Sequence, residues 1–148
     1  MNALPSIVVR NSQRARGIDT KQLQRFAACA LPLCLHSNDG VGPNKLVELA
    51  EVCVVLVSDA RMAALHKEFM NIEGPTDVLT FHDGDIFISV DTAAENASRF
   101  GTSMDDELRL YIVHGLLHLR GYDDVDKMAA RRMSSVQRRI VAAASETP

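Results

Sequence analysis

The chain has 148 residues, of which 47% are apolar and 24% are charged, a balance typical of an ordinary globular protein. Its net charge of −3 excludes a general attraction to nucleic acid, so any such contact must come from a local patch. The apolar runs are too short to span a bilayer, so we expect no membrane segment. We therefore expect one domain over residues 1–148, with a short flexible tail from about residue 144.

Two elements are predicted in the first third of the chain. Ser6–Arg10 is a β-branched run that is typical of a strand. Asp19 or Thr20 can then N-cap a helix that reaches about Leu35, because an apolar stripe recurs at helical spacing. Pro32 is expected to bend or shorten the end of this helix, since proline disrupts a helix interior.

The middle of the chain predicts a strand, a helix and a hairpin. Val52–Val57 is apolar without alternation, which favours a strand covered on both faces and hence an α/β layout. Ser58 or Asp59 caps a helix that continues to about Asn71. The hairpin has its turn at Asp83-Gly84 and its strands at Asp77–Phe81 and Asp85–Val90.

Three helices are predicted in the last third. Asp91 or Thr92 caps a helix that ends near Gly101, and Ser103 opens a long helix with an acidic first turn. A last helix runs from about Val125 into the tail. The order β-α-β-α-β-β-α-α-α predicts an α/β (α+β) fold with a small mixed sheet and about five helices packed on it.

The stretch HGLLHLRGYDDVD, from His114 to Asp126, concentrates residues that can bind a metal. His114 and His118 lie four apart on the long helix, so their side chains share one face. Gly121 ends that helix and lets the chain bring back a carboxylate from Asp123, Asp124 or Asp126. Three protein ligands with an open position are typical of catalytic zinc. Gly115 follows His114, so the stretch lacks the HExxH motif of metalloproteases.

Three segments resemble one family. GPTDVLTF (Gly74–Phe81), GDIFIS (Gly84–Ser89) and HGLLHLRGYDD (His114–Asp124) resemble the PTDVLSF, GDI-x-IS and HG-x-LHL-x-GYDH segments of the YbeY-type rRNA maturation factors. That family comprises metal-dependent endoribonucleases that act on single strands and are linked to maturation of the 3′ end of small-subunit ribosomal RNA. The resemblance covers roughly residues 50–140 and preserves the spacing between the segments.

The resemblance implies a four-stranded sheet and a cleft in which three histidines hold one zinc ion. His114 and His118 match two of them and would act in catalysis through the metal, while Asp124 stands at the position of the third. The family also has an arginine facing the site, and Met70 occupies that position here. Lys67, one helical turn earlier, is a candidate replacement for its charge.

Two further arginines are candidates for contacts with the RNA backbone. Arg131 and Arg138 lie seven apart, so they share one face of the last helix and can form a basic stripe. Three cysteines without a CxxC pair indicate reduced thiols and a cytoplasmic location; they are Cys29, Cys34 and Cys53.

We thus expect a zinc-dependent endoribonuclease of rRNA maturation and ribosome biogenesis, with precursor ribosomal RNA and the ribosome or its proteins as partners. The changes at Asp124 and Met70 motivate one alternative. In that alternative, the chain is a relative that kept the fold and binds RNA or the ribosome, with weakened or lost catalysis.

Overall fold

The computed structural model describes residues 4–38 and 42–146. Within that part, the strands are β1 (Ser6–Asn11), β2 (Glu51–Val57), β3 (Val78–Thr80) and β4 (Asp85–Ser89). The helices are α1 (Thr20–Leu35), α2 (Asp59–Met70), α3 (Val90–Phe100), α4 (Met104–Arg120) and α5 (Lys127–Ser145). The predicted order of strands and helices is confirmed, and a short 3-10 turn at Leu46–Glu48 adds to it.

The four strands form one mixed sheet in the order β1-β2-β4-β3. β1 and β4 both run parallel to β2, and β3 runs antiparallel to β4. β2 is one of the two inner strands, and both of its faces pack against apolar clusters, which explains why its sequence is apolar without alternation. β3 lies at the edge of the sheet. The predicted mixed sheet with five helices is therefore confirmed for the described residues.

The two faces of the sheet carry different layers. Val54 and Leu56 of β2 lie in a large apolar core together with residues of α1, α3, α4 and α5. Successive side chains of a strand point to opposite faces, so Val55 and Val57 face the other way, where α2 packs on them through Met62. α4 contacts α1, α3 and α5 as well as β3 and β4, so it is the central helix of the larger layer.

Gly115 lets α4 approach the sheet closely. A methyl group in place of its α-hydrogen would lie 2.7 Å from Cγ2 of Ile86 on β4. We expect Gly115→Ala to destabilise the protein by about 1–3 kcal/mol, although alanine favours helices, because the core must shift to admit the methyl group. Gly17→Ala is the matched control, since nothing lies within 4 Å of the added carbon there. Urea denaturation would measure both, and equal midpoints would contradict the close packing.

The effect of Pro32, the end of β4 and the start of α3 differ from the predictions. α1 ends at Leu35 with Pro32 inside it, so the proline does not shorten the helix. β4 ends at Ser89 rather than Val90, because the Ser89 side chain accepts the Thr92 N–H and caps α3. Asp91 and Thr92 are therefore wrong as the predicted caps of α3.

The last helix ends near the predicted start of the tail. α5 continues to Ser145, and residues 147 and 148 fall outside the described residues. Among the described helices, none combines the length and the apolar character that a membrane crossing requires. The three cysteines are free thiols, and Cys34 is buried in the core.

Candidate metal centre

α4 brings the two histidines together at its C-terminal end. The helix starts with a capping box between Ser103 and Asp106 and then runs through the core. His114 and His118 are separated by one turn, and their ring planes cross at 82° with 4.6 Å between centroids. Their Nε2 atoms lie 3.0 Å apart. The predicted convergence of both rings on one point is therefore present.

A hydrogen-bond acceptor holds the other nitrogen of each ring. Nδ1 of His114 lies 2.8 Å from Oε1 of Gln137 on α5, and Nδ1 of His118 lies 3.1 Å from the backbone oxygen of Tyr122. Each Nδ1 thus donates its hydrogen, so each Nε2 carries a lone pair. Two lone pairs that face each other at this distance repel, and a shared cation removes the repulsion.

The spacing of the two Nε2 atoms fits a zinc ion. Zinc–nitrogen bonds of 2.0–2.1 Å at a tetrahedral angle separate two nitrogens by about 3.3 Å. The observed 3.0 Å is close to that value. The donor set of two neutral imidazoles is also one that zinc prefers.

The turn after α4 returns a carboxylate to the histidines. Gly121 ends the helix with φ of +122°, a conformation that favours glycine, and its N–H donates to the carbonyls of Leu117 and His118. The Tyr122 hydroxyl is hydrogen-bonded to Ser37, which ties the turn to the end of α1. Beyond this turn, one carboxylate oxygen of Asp124 and one nitrogen of each histidine all lie within 4.8 Å of one another.

The other two aspartates of the stretch have backbone partners. Oδ1 of Asp126 accepts the Ala129 N–H at 2.8 Å and caps α5, and Oδ1 of Asp123 accepts the Val125 N–H at 3.3 Å. Of the three carboxylates that the sequence offers as a third ligand, Asp124 is the one that the structure places with the histidines.

His118 is favoured in the neutral form. Its burial lowers the pKa, and the neighbouring His114 lowers it further, while the carboxylate of Asp124 acts in the opposite direction. A lowered pKa means that the ring stays neutral at pH values where an ordinary histidine begins to protonate. The neutral ring is the form that binds a metal, so the site keeps this ligand available in mild acid.

The histidines line a cleft of about 250 Å³ between α4 and the edge strand β3. The lining residues are Met70, Val78, Leu79, Thr80, Phe81, His82, His114, His118 and Leu119. Most of them are apolar, so the cleft offers few polar groups to a ligand. Thr80 and Gln137 were missed by the sequence analysis. Gln137 had a signal, because it is a polar residue beside the apolar positions Met133, Val136 and Ile140 on the inner face of α5.

The predicted basic residues lie outside this lining. The ammonium group of Lys67 pairs with Glu73 at 2.7 Å, and both side chains are more than half exposed. Lys67 is therefore not brought into the cleft, whereas Met70 is. Arg131 and Arg138 are exposed on α5. Their contact with RNA stays a prediction.

Comparison with known proteins identifies the family. The sequence profile of the family described as Endoribonuclease YbeY matches residues 8–145. The chain belongs to this family. An endoribonuclease YbeY of Micrococcus luteus is 41% identical over 110 residues, which cover 64% of this chain and 70% of the relative. One of Kineococcus radiotolerans is 32% identical over 145 residues, covering 86% and 78%.

A solved structure supports the fold. The solution structure of TM1509 from Thermotoga maritima superposes with a TM-score of 0.65 at 26% identity and covers 93% of this chain and 88% of that one. The resemblance to the YbeY family that the three sequence segments indicated is thus confirmed. The candidate metal centre of this YbeY family member combines two histidines with one aspartate, Asp124.

Proposed function

We propose that this chain is an endoribonuclease that cleaves unpaired RNA with the help of one divalent metal ion. One observation carries the proposal: in a member of the endoribonuclease YbeY family, two Nε2 atoms 3.0 Å apart lie beside the Asp124 carboxylate at the wall of a cleft. The alternative of a relative that binds RNA or the ribosome with weakened or lost catalysis gains no support from the comparisons, since the matching family and relatives are described as endoribonucleases.

We propose zinc as the metal. His114 and His118 would hold it through Nε2, and Asp124 would hold it through a carboxylate oxygen. Such an ion would act as a Lewis acid: it would polarise a phosphate oxygen and lower the pKa of a bound water or hydroxyl. Gln137 and the Tyr122 carbonyl orient the rings, and burial keeps His118 neutral. With Asp124 as the third ligand, the net charge of the ligand set is one unit more negative than that of a set of three neutral histidines.

Precursor ribosomal RNA is the substrate that we propose, with the ribosome or its proteins as partners. The resemblance of the three sequence segments to rRNA maturation factors supports it. We propose further that the whole chain acts as a single domain, because one apolar core includes residues from β1 to α5. Free cysteines fit a reducing compartment, so we place this activity in the cytoplasm.

Exposed apolar side chains beside the cleft fit unpaired bases. The Phe69 side chain is 57% exposed, and its ring meets the ring of Phe81 edge-on with 5.2 Å between centroids. Phe81 and Met70 line the cleft, so this surface is continuous with the candidate metal centre. Bases of a single strand stack on such aromatic rings, whereas paired bases are already stacked in the duplex.

Phe69→Ala is expected to weaken binding of an unpaired oligoribonucleotide by about tenfold, since one base–aromatic stack is worth roughly 1–3 kcal/mol. Fluorescence anisotropy with a labelled RNA of mixed sequence would measure it. Phe100→Ala is the matched control, because Phe100 is 63% exposed at the end of α3 and does not line the cleft. Equal affinities of the two variants would contradict a base contact at Phe69.

Chelation tests the function as a whole. Purified protein is expected to cleave a labelled unpaired RNA, to lose this activity after treatment with a chelator and to recover it when zinc is returned. A duplex of the same sequence should be cleaved far more slowly. The proposal fails if protein that contains stoichiometric metal leaves unpaired RNA intact.

A further inference from the structure

Thr80 has a buried hydroxyl group in the wall of the cleft. It is the last residue of the edge strand β3, and it lines the cleft together with His114 and His118. Among the buried side-chain nitrogen and oxygen atoms of residues 4–38 and 42–146, only its Oγ1 lacks a hydrogen-bond partner. Native proteins leave very few buried polar atoms without a partner, so this one requires an explanation.

A structural role does not explain the hydroxyl. Valine has nearly the same shape as threonine and would fill the same space without burying a polar atom. The neighbouring residue on the same face of β3, Val78, is in fact a valine that packs against the large core. A hydroxyl at Thr80 is therefore unfavourable for the folded chain unless a partner reaches it through the cleft.

The backbone of β3 presents Thr80 at a free edge. In the ladder with β4, Phe81 N–H donates to the Asp85 carbonyl and Ser89 N–H donates to the Asp77 carbonyl. Peptide groups of an antiparallel strand alternate in direction, so those of Thr80, one residue before Phe81, point away from β4. The peptide N–H of Thr80 thus points to the open edge of the sheet, next to the cleft that this residue lines.

Few other polar groups are available in this cleft. Five of its nine lining residues are apolar side chains without nitrogen or oxygen: Met70, Val78, Leu79, Leu119 and Phe81. The Nδ1 atoms of both metal-site histidines are already hydrogen-bonded. The Thr80 hydroxyl is therefore one of the few side-chain donors among the residues that line the cleft, although its oxygen atom is buried.

We propose that the Thr80 hydroxyl binds the RNA substrate by donating a hydrogen bond to a non-bridging oxygen of the phosphodiester that lies against His114 and His118. Side-chain hydroxyls and edge amides are common donors to nucleic-acid phosphates. The inference rests on the proposed function, because it names a further contact of the same substrate in the same cleft. It assigns a substrate-binding role to a residue outside the metal ligands.

Thr80→Val and Thr80→Ser test this role as a matched pair. The valine variant is expected to lower kcat/KM for an unpaired RNA by about 10- to 100-fold, because the loss of one hydrogen bond to a charged group has an effect of that size. The serine variant keeps the hydroxyl and should retain most of the activity. Metal content should be unchanged in both. The thermal midpoint of the valine variant should equal or exceed that of the wild type, because valine removes a buried polar atom without a partner.

Several results would overturn the proposal. Unchanged cleavage by Thr80→Val would exclude the contact, and loss of activity together with a lower thermal midpoint would assign Thr80 a structural role. A binding assay with a 2′-O-methyl oligonucleotide, checked to stay intact during the measurement, separates this inference from the proposed function. If the wild type binds this RNA but does not cleave unpaired RNA, weaker binding by Thr80→Val still supports the contact and equal binding excludes it. If the wild type neither binds nor cleaves, both proposals fail.

Discussion

His118→Ala is expected to abolish stoichiometric zinc binding and to lower RNA cleavage by about 10³-fold or more. The variant removes one of two Nε2 donors that lie 3.0 Å apart, and the remaining ligands, His114 and the exposed Asp124, cannot form a three-ligand site. A metal that polarises a phosphate supplies several kcal/mol of transition-state stabilisation, and each 1.36 kcal/mol corresponds to about tenfold in rate. Elemental analysis of the dialysed protein and a cleavage assay would measure both effects.

A second histidine provides the control for this variant. His36 is exposed at the end of α1, outside the cleft lining, so His36→Ala should keep the metal and the activity of the wild type. Circular dichroism should show that both variants remain folded. If His118→Ala retained one zinc per chain, the assignment of this ring as a ligand would be wrong.

Asp124→Asn is expected to lower the zinc affinity by about 10- to 100-fold while leaving the fold intact. An amide oxygen carries no charge and is a poorer zinc ligand than a carboxylate. Asp124 is exposed, so the substitution creates no buried unpaired group and should hardly change the stability. Competition with a chromophoric zinc chelator would measure the affinity.

Asp126→Asn is the matched control, since it makes the same chemical change two residues away. Asp126 caps α5 through the Ala129 N–H, and asparagine is an equally good cap, so both the affinity and the stability should stay near those of the wild type. Asp124→His should bind zinc at least as tightly as the wild type, because it restores a third imidazole. If Asp126→Asn lowered the zinc affinity and Asp124→Asn did not, the third ligand would be Asp126 and the assignment of Asp124 would be wrong.

Much of the fold could be predicted because its determinants are local. The uninterrupted apolar run of β2 indicated a strand covered on both faces, the Ser103 cap indicated the start of α4, and Gly121 indicated its end. The error at the start of α3 has a cause distant in sequence. Asp91 and Thr92 were the predicted caps, whereas Ser89 caps the helix and its hydroxyl also donates to Asp59 on α2, a contact that the sequence does not reveal.

The site could be predicted in part. The spacing of His114 and His118 on a helix was sufficient for their convergence, because a helix has a fixed geometry. The partner of His114 is Gln137, which lies 23 residues later on another helix, and no local pattern links the two. The position of Thr80 in the cleft wall depends on the packing of α4 beside β3, which no local pattern predicts.

Lys67 is placed away from the cleft lining by the turn that follows α2. It lies one turn before Met70, the position of the family arginine, so it was a reasonable candidate for the missing charge. However, Asn71 ends α2 in the left-handed conformation, and the chain turns so that Glu73 pairs with the Lys67 ammonium group. The surface beside the cleft is therefore apolar at Met70, and any cation there must come from elsewhere.

The most direct test of the metal centre is an anomalous difference map, measured at the zinc absorption edge, from crystals of the protein soaked in zinc. We predict one peak per chain within about 2.0–2.2 Å of Nε2 of His114, Nε2 of His118 and a carboxylate oxygen of Asp124. The absence of a peak between these residues, or a peak coordinated by other side chains, would contradict the account.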